Sequence, residues 1–112
     1  MNKSCFQRGV NTLIAGSFFV VGYALAADAN QAAVSRGQAL HADKCATCHA
    51  EKSGLGDGNV LYLRSDKKAT NLKQLEGMVA RCNSELRLDL FPEDEADVVA
   101  FLHKNFYKFK KP

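Results

Sequence analysis

The chain is short of several things, and each shortage removes a class of protein. Net charge is one: of 15 Lys and Arg, Lys3 and Arg8 fall in the first ten residues, which leaves 13 against 12 Asp and Glu. Nucleic-acid binding needs a clustered basic face, and this balance argues against one. Long apolar runs are another. The longest, Leu13 to Leu25, is shorter than the roughly 20 residues that span a bilayer, and no charged stop follows it. Methionine past the first residue is represented by Met78 alone, there is no proline between the start and Pro92, and no internal repeat is apparent. No array of side chains suggests an enzyme.

What is present at the start reads as an export signal. Lys3 and Arg8 make a positive lead, the apolar stretch follows, and Ala24-Leu25-Ala26 supplies the small-x-small pattern of a cleavage site. Residues 1–26 are therefore expected to be a signal peptide and 27–112 the mature domain, with no stable membrane anchor. Cys5 precedes the apolar core, whereas a lipid-anchored cysteine would follow it. The mature chain of about 85 residues is small for a self-sufficient core. It keeps Cys45, Cys48 and Cys82, an odd number for an oxidising compartment.

Cys45-Ala46-Thr47-Cys48-His49 organises the rest. Two cysteines two residues apart, followed at once by histidine, form the attachment pattern for c-type haem. The thiols of Cys45 and Cys48 can add to the two haem vinyl groups, which leaves His49 beneath the iron as its proximal ligand. A bare redox dithiol would want a strand-then-helix setting, and a zinc site would want two more ligands at suitable spacing. Neither is evident. One covalent haem c is the implied cofactor, and export followed by attachment outside the cytoplasm implies a periplasm.

Periodicity predicts an all-α chain. A first helix runs from Gln31 toward the haem motif with Val34 and Leu40 inward, after a ragged lead-in over Ala27 to Asn30. Gly37 interrupts it, an interruption that close helix contact would explain. Ala50 to Thr70 reads as a glycine-rich loop, with Val60-Leu61-Tyr62-Leu63 as the apolar segment that folds back on the haem edge. A second helix starts near Asn71, capped by it or by Thr70, with Leu72, Leu75, Val79 and Cys82 on one face and Leu75, Met78 and Cys82 as a similar stripe. This places both sulfur atoms toward the interior, Cys82 near the helix end. The last helix opens at Pro92 with Glu93, Asp94 and Glu95, and buries Val98, Val99, Leu102 and Phe106. Tyr107 and Phe109 are expected to pack back on the body. Lys104, Lys108, Lys110 and Lys111 read as a solvated tail or as a docking patch for an acidic redox partner. His41 and His103 read as packing, cap or surface residues.

Gly37-Gln38-Ala39-Leu40-His41, followed by Asp43-Lys44-Cys45, resembles the N-terminal helix of class I cytochromes c. The resemblance implies a small cytochrome c-like fold whose N- and C-terminal helices cross around the haem, so that Val98, Phe101 or Leu102 meets Gly37. His41 departs from the family's Phe or Tyr. The family's proline after the haem motif is also missing, so some other carbonyl is expected to orient the proximal ring. Arg64, Lys67, Lys68 and Arg81 are candidates to pair with haem propionates.

The iron's far side has three candidates. Cys82 is the first choice, because a thiolate facing ferric haem satisfies its charge at the metal; Met78 is the alternative, and Asn83 or an open site remains. Arg81-Cys82-Asn83-Ser84, with Pro92 and Ala96-Asp97-Val98-Val99-Ala100-Phe101-Leu102 beyond, resembles sphaeroides haem protein, an oxygen-binding cytochrome c. It is similar too to the His/Cys-ligated heterodimeric cytochromes of anaerobic ammonium oxidisers. The leading expectation is a periplasmic monohaem electron carrier, not an enzyme, that docks a redox partner protein. The rivals are a gas-binding haem protein or sensor, and a subunit of a homo- or heterodimer.

Overall fold

A computed structural model describes residues 21–111, with side chains from residue 28 onward. The regular elements among them are α1 (Val21–Lys44), α2 (Ala46–Ser53), α3 (Val60–Leu63), α4 (Leu72–Leu86) and α5 (Pro92–Leu102), and a π-helical turn over His103–Tyr107 follows. The chain is all-α, with no strand among the described residues. Residues 1–20 of the expected signal lie outside those residues, and 21–26 form the first turns of α1. Ala27 to Asn30 are helical rather than ragged, because neither glycine nor proline interrupts this alanine-rich stretch. No helix of the described residues is long and apolar enough to cross a membrane.

The frame is the pair α1 and α5, whose mutual packing is the most extensive among the described elements. On α1 the buried positions are Val34, Gly37 and His41, one step of three and one of four, with Leu40 half-buried beside them. A Cβ added to Gly37 would run into the Asp97 carbonyl and lie 3.0 Å from the Phe101 Cβ. The glycine is thus required by the closeness of the two helices, and Phe101 is the one of the three expected partners, Val98, Phe101 and Leu102, that lies nearest. Unforeseen is Arg36 beside it, which grips the buried Asp97 carboxylate with two bonds, Nε to Oδ2 at 2.6 Å and Nη2 to Oδ1 at 3.0 Å.

Helix α4 rests on α5. Asn71 caps it, its side-chain oxygen accepting the Gln74 N–H at 2.9 Å, while Gln74 Oε1 reaches back to the N–H and hydroxyl of Thr70. Leu75 is buried, and Met78 and Val79 pack on the core. The helix continues past Cys82 to Leu86, ending at Arg87 in the left-handed region with φ 50°. Cys82 is therefore interior to the helix, and it is exposed rather than inward-facing. Asn83 does not end the helix because its amide bonds elsewhere: it donates to the Leu90 carbonyl and Glu95 Oε1 at 2.9 and 2.7 Å, and accepts the Leu90 N–H at 3.1 Å. That bracing turns the chain into α5.

Pro92 opens α5, and Asp94 Oδ2 accepts the Phe91 N–H at 3.0 Å. Val98, Val99, Phe101 and Leu102 are buried, with Phe106 half-buried below them. Tyr107 is buried and Phe109 packs on the core, as expected. His103 pins the tail, its Nε2 lying 3.4 Å from the Phe109 carbonyl oxygen. Among the lysines of the tail, Lys104 bonds Gln31 Oε1 on α1, while Lys108, Lys110 and Lys111 are exposed.

Candidate metal centre

The Cys45–His49 segment spans the junction of α1 and α2. The break between them is a single residue: Cys45 N–H donates to the His41 carbonyl at 3.0 Å, and His49 N–H donates to the Cys45 carbonyl at 3.1 Å. Helical spacing is thereby carried through the junction. His41, Cys45 and His49 succeed one another every four residues, and the two imidazole centroids stand 6.3 Å apart.

The chain then turns back over His49. A Cβ at Gly58 would lie 2.5 Å from the His49 Cβ and 2.8 Å from the Ala50 nitrogen. This close passage starts the single turn α3, which carries Tyr62 inward. The Tyr62 hydroxyl reaches two imidazoles, bonding His49 Nδ1 on one side and His41 Nε2, at 2.8 Å, on the other. The tyrosine ring is set by Phe106 and Tyr107, with centroids 5.3 and 6.0 Å away, and His41 lies on Phe101 at 5.3 Å. A side-chain hydroxyl, and not the backbone carbonyl expected there, engages the His49 ring.

Burial governs the protonation of this group. It lowers the pKa of His41, with His49 adding to the effect, and lowers that of His49, with Lys52 adding. Both shifts favour the neutral ring. It raises the Tyr62 phenol far above its ordinary value, with Cys45, Tyr107 and Cys82 contributing, so the phenol keeps its proton. The Cys45 thiol is also raised, first by burial, then by Cys82 and Cys48.

Cys45, Cys48 and His49 are all half-buried. Among the described residues, no three His, Cys, Asp or Glu side chains gather closely enough to hold one metal ion between them. A tetrahedral zinc site requires such convergence, with bonds of about 2.0–2.3 Å. Of the basic residues considered for propionates, Arg64 is engaged with Asp66 at 2.8 and 2.7 Å, Lys67 lies over the Tyr107 ring at 5.6 Å, and Arg81 is 3.8 Å from Glu85.

Sequence reasoning missed the tie between His41, Tyr62 and His49. Half of it was readable, since a helix carried through Cys45 puts residues 41 and 49 on one face. Tyr62 had no such signal. No family model, curated protein or solved structure matches the chain.

Proposed function

We propose that the chain is an exported monohaem c-type cytochrome that transfers electrons in the periplasm, without catalytic turnover of a substrate. The carrying observation is that the histidine of the Cys45–His49 motif has its Nδ1 engaged by Tyr62, which leaves Nε2 as the ring nitrogen for iron. The residues fit the group. Cys45 and Cys48 are one helical turn apart on either side of the α2 start, a spacing suited to thioether links at the rim of a macrocycle, and such links need no convergence on the metal. The polypeptide's own core is thin, with Leu75 and Val98 its largest fully buried side chains, while Leu55, Leu63 and Leu86 stand 76, 62 and 52 % exposed. A covalently held porphyrin adds apolar mass to a small domain of this kind. When bound, haem supplies a one-electron couple whose potential follows its axial ligands.

For the distal position, Cys82 on α4 is better placed than Met78. Met78 is packed on the core with Val79, whereas Cys82 is exposed with a free thiol. Asn83, whose amide braces Leu90 and Glu95, is committed elsewhere. Mass spectrometry of the protein exported by a host competent in haem maturation tests the attachment: a mass increase of one haem supports it, and an unmodified chain refutes it. Reversible voltammetry then supports a carrier. A ferrous spectrum that changes under CO or NO points to the gas-binding alternative instead.

A further inference from the structure

We propose that Tyr62 is the positioning residue for the proximal histidine, and that His41 behind it sets the direction of the hydrogen bonds, so that His49 is held in the tautomer whose Nε2 lone pair is free for iron. The inference rests on the cytochrome reading above, and it is carried by the contiguous arrangement His49 Nδ1, Tyr62 Oη, His41 Nε2. A single hydroxyl proton lies at the centre of this chain. With all three groups neutral and the buried hydroxyl proton donated within the chain, the bonds can run in only two directions, since both imidazoles donating to the oxygen would leave that proton without an acceptor. In one, His49 Nδ1–H donates to the tyrosine oxygen and the tyrosine O–H donates to His41 Nε2. In the other, His41 Nε2–H donates to the tyrosine and the tyrosine donates to His49 Nδ1, which leaves the His49 proton on Nε2 and the ring unable to bind a metal. Ligation through Nε2 therefore selects the first direction and requires His41 to accept.

The structure gives this relay the rigidity that a positioning role demands. Tyr62 is 5 % exposed and His41 6 % exposed. Each is held by aromatic neighbours on a different element, His41 by Phe101 of α5 and Tyr62 by Phe106 and Tyr107 of the π-helical turn. The ring orientation of His49 is thus referred through side chains to the α1–α5 pair. A hydroxyl accepting Nδ1–H makes the imidazole a stronger donor to iron, as partners of ligating histidines generally do.

Tyr62→Phe keeps the ring and deletes the acceptor; His41→Phe deletes the far end and leaves the tyrosine oxygen. Haem content is measured first by mass, then the midpoint potential, then solvent exchange of the proximal Nδ1–H by NMR. For Tyr62→Phe the haem mass is retained, Nδ1–H exchange accelerates, and the potential rises by an amount equivalent to about tenfold in the ferrous-to-ferric ratio, about 59 mV for one electron. His41→Phe gives a smaller rise of the same sign. The double variant matches Tyr62→Phe alone, since both changes act on one network. If the haem is attached and Tyr62→Phe leaves both potential and exchange at wild-type values, or if the two shifts simply add, the positioning role is wrong while the cytochrome reading stands. If wild type carries no haem, the reading itself has failed. Should Tyr62→Phe not accumulate, His41→Phe decides alone: an unchanged potential and exchange refute the relay.

Discussion

Adding one methyl group at Gly37 tests the frame on which the candidate site is built. In an isolated helix Gly→Ala is favourable by about 1 kcal/mol, because alanine has less backbone freedom to lose. At Gly37 the new Cβ would lie 1.9 Å from the Asp97 carbonyl oxygen and press on the Phe101 Cβ at 3.0 Å. A backbone carbonyl inside α5 cannot rotate away, so relief requires the two helices to part. Parting them loosens Val34, Val98, Phe101 and Leu102, each buried side chain being worth about 1.5–3 kcal/mol. Overpacking in a tight core costs about 1–3 kcal/mol even when neighbours yield, and here the neighbour is backbone. The net expectation for Gly37→Ala is a loss of about 2 kcal/mol or more, which lowers Tm by roughly 10 °C in a domain of this size. Gly77 provides the control. It also lies within a helix, but nothing stands within 4 Å of its added Cβ, so Gly77→Ala should stabilise by about 0.5–1 kcal/mol. Urea titrations of the two purified variants followed by far-ultraviolet circular dichroism give both values. A Gly37→Ala protein as stable as Gly77→Ala would refute the close approach of α1 and α5.

Four other substitutions separate roles that the site combines. Cys82→Ala, at an exposed position, should change polypeptide stability by less than about 0.5 kcal/mol yet abolish a low-spin thiolate signal in electron paramagnetic resonance; Met78→Ala, in the core, should cost about 1–3 kcal/mol and leave that signal intact. A wild-type spectrum with no thiolate signal, kept in Cys82→Ala and altered in Met78→Ala, would move the distal ligand to Met78. Asn83→Ala removes three hydrogen bonds to Leu90 and Glu95 and should cost about 1–3 kcal/mol, with faster proteolysis between residues 87 and 91 and an unchanged haem spectrum. For pH, burial lowers the folded-state pKa of His41 below its unfolded value of about 6.5. The unfolded chain then binds more protons below that pH, so His41's contribution is full above about 6.5 and is lost as pH falls toward the folded pKa. Equilibrium unfolding at pH 7.5 and 5.5 should show a smaller drop for His41→Phe than for wild type, and equal drops would contradict the burial argument.

The features that could be read directly were those written in local spacing. Asn71 as a cap, Pro92 as a helix opening, and the Val98, Val99, Leu102 stripe all occur where their residue types place them. Gly37 was legible as a point of close contact, and Phe101 as one of its partners. The expectation that Cys82 lies at a helix end failed because Asn83 and Ser84 were judged by local preference. In the fold, the Asn83 amide satisfies itself on Leu90 and Glu95, and the helix runs on to Leu86. The missing proline after the motif signalled an altered support for His49, but the expected substitute was another carbonyl, whereas the group at Nδ1 is the Tyr62 hydroxyl.

The sequence alone determined the helical class, since a 3.6-residue period needs no knowledge of distant residues, and it supplied the five-residue motif on which the proposed haem attachment rests. Only the tertiary structure decided what holds His49 and what joins α1 to α5. His41 to Tyr62 spans 21 residues, Tyr62 to His49 spans 13, and Arg36 to Asp97 spans 61. Pairs so far apart leave no periodic trace. They meet because Gly37 lets two helices close and Gly58 lets a loop cross the back of a histidine.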